Sequence, residues 1–235
     1  MLALENLSVY YQEKTLLNNV SLKIEQGDFY CLIGESGGGK TLIGKTLLGM
    51  LPEKFQVTGK VNRQSTKIEL VLQNPLDSMP NNIKIKKQFH HLLAANKIAK
   101  NTWSAEIEQV LKQVGFDAPT LIVNKRPYEL SGGMCQRVAL AFALISQPEI
   151  IIADEVTSAL DENSQNTILE LLKKLQTTTN CTIFFITHDL DLVKKYSTKM
   201  SVVKDGCLIE SGLTNNVLHR PQKKYTKELI DIFED

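Results

Sequence analysis

The chain has 235 residues, 43% apolar and 23% charged, with a formal net charge of +1. That length holds one large domain or two small ones with ample core, and the proportions are those of an ordinary globular protein. A near-neutral balance with dispersed lysines gives no reason to expect nucleic acid or an anionic membrane surface as the main partner.

Residues 2 to 11 alternate loosely and end in Tyr10 and Tyr11, and Val20 to Ile24 alternate again before a turn at Gln26 to Asp28. Two strands are predicted here. The two tyrosines point to opposite faces of the first strand, so only one can lie on a nucleobase, and a strand tyrosine otherwise simply packs. Phe29 to Ile33 is an apolar run too short for a helix and reads as a buried strand. Gly34, Glu35, Ser36, Gly37, Gly38, Gly39, Lys40 and Thr41 then fit the phosphate-loop pattern G-x-x-x-x-G-K-[ST], and Leu42 to Met50 carries apolar groups at helical spacing. A strand feeding a helix through such a loop aims the helix-start N–H groups at one point, which favours an anion. The glycines allow positive φ and let the backbone wrap closely around phosphates. Lys40 is then placed to reach the β and γ phosphates, and the Thr41 hydroxyl to bind Mg²⁺.

Val57 to Val61 and Ile68 to Leu72 read as two further strands, the second ending at Gln73, Asn74 and Pro75, where a loop begins. Residues 76 to 129 change character. Ile83 to Lys97 and Ala105 to Val114 have helical periodicity, and Gly115 is a good stop for the second helix. His90 and His91, adjacent on the first of these helices, diverge by about 100° and cannot chelate one metal; they read as surface or partner-facing. Next come Leu130, Ser131, Gly132, Gly133 and Met134, ahead of an apolar helix from about Cys135 to Ser146. Ser131 can cap that helix while the glycines leave its first N–H groups open, either as an ordinary cap turn or as a second anion-seeking helix start.

Ile150 to Ala153 make a buried strand that delivers Asp154 and Glu155 at its C-terminal end, where ligands sit in a doubly wound sheet. On a continuing strand the two carboxylates face opposite sides, one free to hold a Mg²⁺ shell and the other to face the attacking water. Ser158, Ala159, Leu160 and Asp161 turn into an amphipathic helix reaching about Thr178, and Thr182 to Thr187 form another strand that ends at His188 and Asp189. A histidine at that strand end is placed to sense a γ-phosphate. Lys199 to Lys204 and Cys207 to Ser211 flank Asp205-Gly206 as a hairpin, and helices over about Thr214 to His219 and Tyr225 to Phe233 follow. The four cysteines, Cys31, Cys135, Cys181 and Cys207, are far apart without a CxxC pair and read as free thiols of a reducing compartment. The longest apolar run, Val138 to Ile145, is far short of the roughly 20 residues that cross a bilayer, and Glu5, Asn6 and Ser8 interrupt any signal-peptide reading. Service to a membrane process would require docking.

With the phosphate loop, Gln73, LSGGM at 130 to 134, IIIADE at 150 to 155, SALD at 158 to 161 and His188 in this order, the chain resembles the ATP-binding cassette ATPases over essentially its whole length. The resemblance implies an α/β fold: a P-loop NTPase core with a mixed, largely parallel sheet, an N-terminal antiparallel β subdomain and a helical insert. It assigns 1–75 and 147–235 to the core and 76–146 to the helical subdomain. It further implies that the loop amides, Lys40 and Thr46 contact ATP, that Thr41 and Gln73 complete the Mg²⁺ shell, and that Asp154 holds that shell through water. Glu155 resembles the general base, His188 the switch residue on the γ-phosphate, and Tyr11 the adenine platform. Ser131, Gly132 and Gly133 are expected to act on the ATP of a second cassette in a head-to-tail homo- or heterodimer, with Asp161 communicating across the interface.

Membrane permease subunits are the expected further partners, and indirectly a solute-binding protein, with the chain held peripherally at the cytoplasmic face of the inner membrane. Gln73-Asn74-Pro75, Ser131 to Arg137, and His219-Arg220-Pro221 leading to Tyr225 to Leu229 are similar to the peptide and nickel import branch. Met134, Val156 and Lys223-Lys224 depart from that branch's usual residues, and the chain ends soon after Phe233, which shifts the expectation toward nickel or a metal chelate over peptides. The competing expectation is a soluble cassette ATPase of DNA repair or translation, in which a coiled coil or a second fused cassette is usual.

Overall fold

The computed structural model describes residues 1 to 65 and 67 to 234. Its strands are β1 (Leu2–Tyr11), β2 (Lys14–Ile24), β3 (Phe29–Ile33), β4 (Phe55–Arg63), β5 (Ile68–Val71), β6 (Ile150–Asp154), β7 (Thr182–Thr187), β8 (Lys199–Lys204) and β9 (Cys207–Leu213). The first sheet is antiparallel in the order β2-β1-β4, and the second runs β5-β6-β7-β3-β8-β9. In the second sheet every pair is parallel except β8 with β9, which the Asp205-Gly206 turn joins as a hairpin.

Every residue of β3, β6 and β7 is buried. Parallel strands covered on both faces have no solvent side to alternate toward, which is why these segments are continuous apolar runs. Alternation instead decides which layer each side chain joins. Tyr30 and Leu32 face Leu4, Val9, Leu17 and Val20 of the antiparallel sheet together with Ile43 and Leu47. Phe29, Cys31 and Ile33 face the opposite core.

The helices are α1 (Lys40–Leu48), α2 (Ile85–Ala95), α3 (Trp103–Gln113), α4 (Pro119–Val123), α5 (Gly132–Leu144), α6 (Glu162–Thr179), α7 (Leu190–Tyr196), α8 (Thr214–His219) and α9 (Lys224–Glu234). Between β5 and β6 the described chain is helical or irregular. Ile85, Phe89 and Leu93 of α2 and Ile107, Val110 and Leu111 of α3 bury their stripes on α5, with the Phe89 and Phe142 rings edge-on at 4.5 Å. His90 lies against the Trp103 ring at 5.0 Å, and burial, then Lys86, lowers its pKa.

Several helix starts differ from the sequence reading by two or three residues. Helix α1 already begins at Lys40, so the loop's own lysine and threonine are helical. Helix α5 begins at Gly132 because the Ser131 hydroxyl accepts the Met134 N–H at 3.3 Å. Helix α6 starts at Glu162, directly after the Ser158 to Asp161 turn as the sequence implies, because Asp161 is its N-cap, accepting the Ser164 N–H at 3.0 Å. Helices α4 and α7 had no counterpart in the sequence reading. Cys31, Cys135 and Cys181 are buried and Cys207 half-buried; burial pushes the first three thiols up, Cys181 to about 12.

Candidate nucleotide site

Strand β3 ends directly in the loop, and the loop is held close to its neighbour β8. A Cβ on Gly34 would stand 2.1 Å from the Val203 carbonyl oxygen, so this position has no room for a side chain. Glu35, Ser36 and Gly37 are exposed at the loop crest, Gly38 is buried, and Gly39, at φ 101°, caps α1. Lys40 is 5% exposed and folds back over the loop, donating to the carbonyls of Gly34 at 2.8 Å and Glu35 at 3.0 Å. Its ammonium also stands 3.7 Å from Glu155 Oε1. Nearly two turns into the same helix, Thr46 is buried and its hydroxyl donates to the Leu42 carbonyl at 2.7 Å, which spends it inside α1.

Strand β7 lies between β3 and β6, so the ends of three neighbouring parallel strands bring the loop, the carboxylates and His188 together. The Thr41 hydroxyl donates to Asp154 Oδ1 at 3.2 Å. Burial raises the Asp154 pKa, the Thr41 hydrogen bond opposes this, and the charge of Glu155 adds to the rise. Glu155 does not continue the strand as alternation implied. It takes a left-handed φ of 49°, and its N–H donates to the Ile186 carbonyl of β7 at 2.9 Å. This bend keeps both carboxylates at the loop: Glu155 Oε1 is 3.7 Å from Lys40 Nζ and 3.6 Å from His188 Nδ1. His188 itself is exposed.

Gln73 lies just past the end of β5, exposed, and its amide donates to Ser158 Oγ at 2.8 Å; that hydroxyl in turn donates to the Glu155 carbonyl at 3.0 Å. Ser158 thus ties Gln73 to the bend at Glu155. Gln136 of α5 donates to the Leu72 carbonyl at 3.1 Å, fastening the Ser131 helix to the same strand end. Ser131 and Gly132 are exposed, and Gly133 packs so closely on α6 that a Cβ there would stand 2.7 Å from Ser164 Oγ. The Ser164 hydroxyl donates to Asp161 Oδ2 at 2.7 Å, and the Ser164 backbone N–H is the first cause of the lowered Asp161 pKa. No hydrogen bond or ion pair among the described residues joins Ser131, Gly132 or Gly133 to the phosphate loop of this chain. Tyr11, half-buried at the end of β1, has its ring 5.2 Å from that of Phe55, with the Lys54 ammonium 5.1 Å from its centroid.

Sequence reasoning passed over Ser164 and gave Ser158 no role. Ser158 was read only as part of SALD, and the one signal for Ser164 is a small hydroxyl residue three positions after that motif, too common to single out.

The family described as ABC transporter matches residues 17–158. The chain is 32% identical over 230 residues to the oligopeptide transport ATP-binding protein OppD of Lactococcus lactis subsp. cremoris, covering 90% of this chain and 68% of that protein. It is also 32% identical to the metal-staphylopine import system ATP-binding protein CntD of Staphylococcus aureus, covering 94% of this chain and 88% of that protein. Its fold matches the solved dimeric ATP-binding cassette MJ0796 in a post-hydrolysis state bound to ADP and Pi, with a TM-score of 0.75 and 26% identity over 91% of this chain and 99% of that one. The chain belongs to the ABC transporter family and is one of its ATP-hydrolysing cassettes, taking ATP as substrate with Mg²⁺.

Proposed function

We propose that this chain is the energy-coupling ATPase of an importer for metal chelates or di- and oligopeptides, seated peripherally at the cytoplasmic face of a membrane. Its partners in this reading are permease subunits, a second ATPase subunit and, indirectly, a solute-binding protein. One observation carries the docking half of the reading. A groove of about 280 Å³ runs between edge strand β5 and helices α2 and α5, with Leu70, Ala139 and Phe142 as apolar lining and Glu69, Ser78 and His91 as polar groups. Such a groove suits a short amphipathic helix of a permease, and it lies beside the Gln73 segment that reaches Glu155 through Ser158. The solute class rests on the import systems of the relatives, one for oligopeptides and one for metal-staphylopine. No described helix is long and apolar enough to cross a membrane, so translocation falls to the partners.

The donor set fits a divalent cation. Thr41 and Asp154 already meet, and the cost of burying the Asp154 charge is the kind a cation offsets. Thr41 and Gln73 would hold Mg²⁺ directly and Asp154 through water; when bound, the ion neutralises charge on the β and γ phosphate oxygens. Lys40, pre-bent over the loop, exchanges its carbonyl partners for phosphate oxygens. Glu155, held near Lys40 and His188, accepts the proton of the attacking water, and His188 contacts the γ-phosphate side. Tyr11 supports the adenine ring.

Ser131, Gly132 and Gly133 present a second anion-seeking helix start that this chain's own loop does not use. A head-to-tail partner completes the site, with ATP between the loop of one cassette and the serine helix of the other and Asp161 at the seam. The core of 1–75 and 147–235 and the helical 76–146 then move as the coupled parts of a closed-to-open switch. The test is to purify the tagged native protein from membranes in mild detergent and to identify what stays bound. Permease subunits with a second ATPase are the expected result; ribosomal or chromosomal partners without a permease would overturn the importer reading.

A further inference from the structure

Helices α2, α3 and α4 of the insert border a cavity of about 470 Å³ that shares no lining residue with the nucleotide site or with the groove beside β5. Lys86 and His90 line it from α2, Trp103 and Ile107 from α3 and Val123 from α4, with Lys100 in the turn just before α3. Helix α2 therefore serves two faces. His91 lines the groove, while its neighbour His90, about 100° around the helix, lines the cavity.

The lining has the makeup of a ligand site rather than of a packing gap. Trp103 donates its indole N–H to the Ile98 carbonyl at 2.9 Å, so its polar atom is spent and what it offers the cavity is ring surface. His90 lies beside that ring at 5.0 Å, and burial, then the Lys86 charge, then His91 hold its pKa down, so it adds a second, neutral ring. Ile107 and Val123 add apolar surface. The charges are one-sided. Lys86 and Lys100 are exposed and neither forms an ion pair among the described residues, whereas Glu108, the only carboxylate among the described lining residues, is answered by Lys112 at 2.6 Å. Two unanswered cations on an aromatic, apolar cavity suit a ligand that is flat at one end and negatively charged at the other.

The geometry points to a binding site for a small aromatic anion, a planar ring bearing a carboxylate or a phosphate: the ring lies against Trp103 and His90, and Lys86 and Lys100 hold the charged group. The site lies apart from the ATPase chemistry and stands or falls independently of the importer reading.

Trp103 is the only tryptophan of the chain, so its own emission reports on the cavity. The test is to titrate the full chain with phenylacetate and, separately, with phenyl phosphate at constant ionic strength. At least one should change the emission saturably, with a Kd of about 0.1 to 1 mM, the range open to a ligand of that size, and the tighter of the two identifies the charged group. Benzyl alcohol, which keeps the ring, and inorganic phosphate, which keeps the charge, should each bind at least about tenfold more weakly. In the double variant Lys86→Gln, Lys100→Gln the Kd should rise about tenfold, the worth of two partly exposed ion pairs, with the melting temperature unchanged because both side chains are exposed. Lys40→Ala should bind the probes as the native chain does. Emission that saturates with neither probe overturns the inference. So does equally tight binding of benzyl alcohol or inorganic phosphate, an unchanged Kd in the double lysine variant, or loss of the response in Lys40→Ala, which would put the probe in the phosphate loop.

Discussion

The Thr41 hydroxyl donates to Asp154 Oδ1 across 3.2 Å, tying the first turn of α1 to the end of β6. Two residues far apart in sequence are thus in register as one donor set.

The same buried carboxylate sets a pH dependence. Burial holds the Asp154 pKa above its ordinary value, so its contribution to stability is fully present below the ordinary carboxylate pKa and is lost as pH rises through the raised one. Asp154→Asn removes that loss. The nucleotide-free variant should melt higher than the native chain near pH 7, and the gain should vanish toward pH 4. Calorimetry at both pH values checks the sign, and Mg²⁺-dependent hydrolysis by the same variant should be lost.

Glu155→Gln keeps the shape of the side chain and removes its basicity. ATP should still bind, hydrolysis should fall by about a hundredfold to ten-thousandfold, and a closed dimer should accumulate on a sizing column. Normal turnover would remove Glu155 as the base.

Ser131→Ala has two readouts. Losing the cap of α5 should cost about 1 kcal/mol in denaturant unfolding. ATP binding by the isolated monomer should be unaltered, while hydrolysis by the dimer should fall by about a hundredfold, the scale of losing one charge-stabilising donor. A monomer that hydrolyses ATP at full rate would sink the shared site.

Gly206→Ala should act at a distance. The residue has φ 72°, and a Cβ would stand 2.2 Å from the Leu16 carbonyl oxygen, against the β2 backbone of Leu16 and Leu17, which cannot yield as a flexible side chain would. We expect a loss of roughly 2 kcal/mol or more, about 4–8 °C in melting temperature, with weaker ATP binding because the Gly38 carbonyl loses its donor.

The sequence made the nucleotide chemistry readable because a phosphate loop is a local device: strand, glycines, lysine and helix lie within one short stretch, and their order dictates their geometry. The strand-end placement of Asp154 and His188 was equally legible, since buried parallel strands are continuous apolar runs and ligands gather at their ends. The bend at Glu155 was not. Nothing local marks a left-handed glutamate, whose conformation is stabilised by the Ile186 carbonyl of a neighbouring strand. Helix α7 was missed because His188-Asp189 was read as the end of a strand, although Asp189 caps the helix by accepting the N–H groups of Asp191 and Leu192. Asp205-Gly206 announced a hairpin, but only the order β3-β8-β9 puts its tip under Gly38.

The distribution of the thiols makes the native chain its own reporter. Cys31, Cys135 and Cys181 are buried with their pKa values pushed up, so as neutral thiols shut away from solvent they resist alkylation. Cys207 is half-buried and follows Gly206 directly. A maleimide dye should therefore attach at Cys207 alone, beside the turn that touches Gly38, and its emission should register nucleotide entry without an engineered cysteine or a background to subtract.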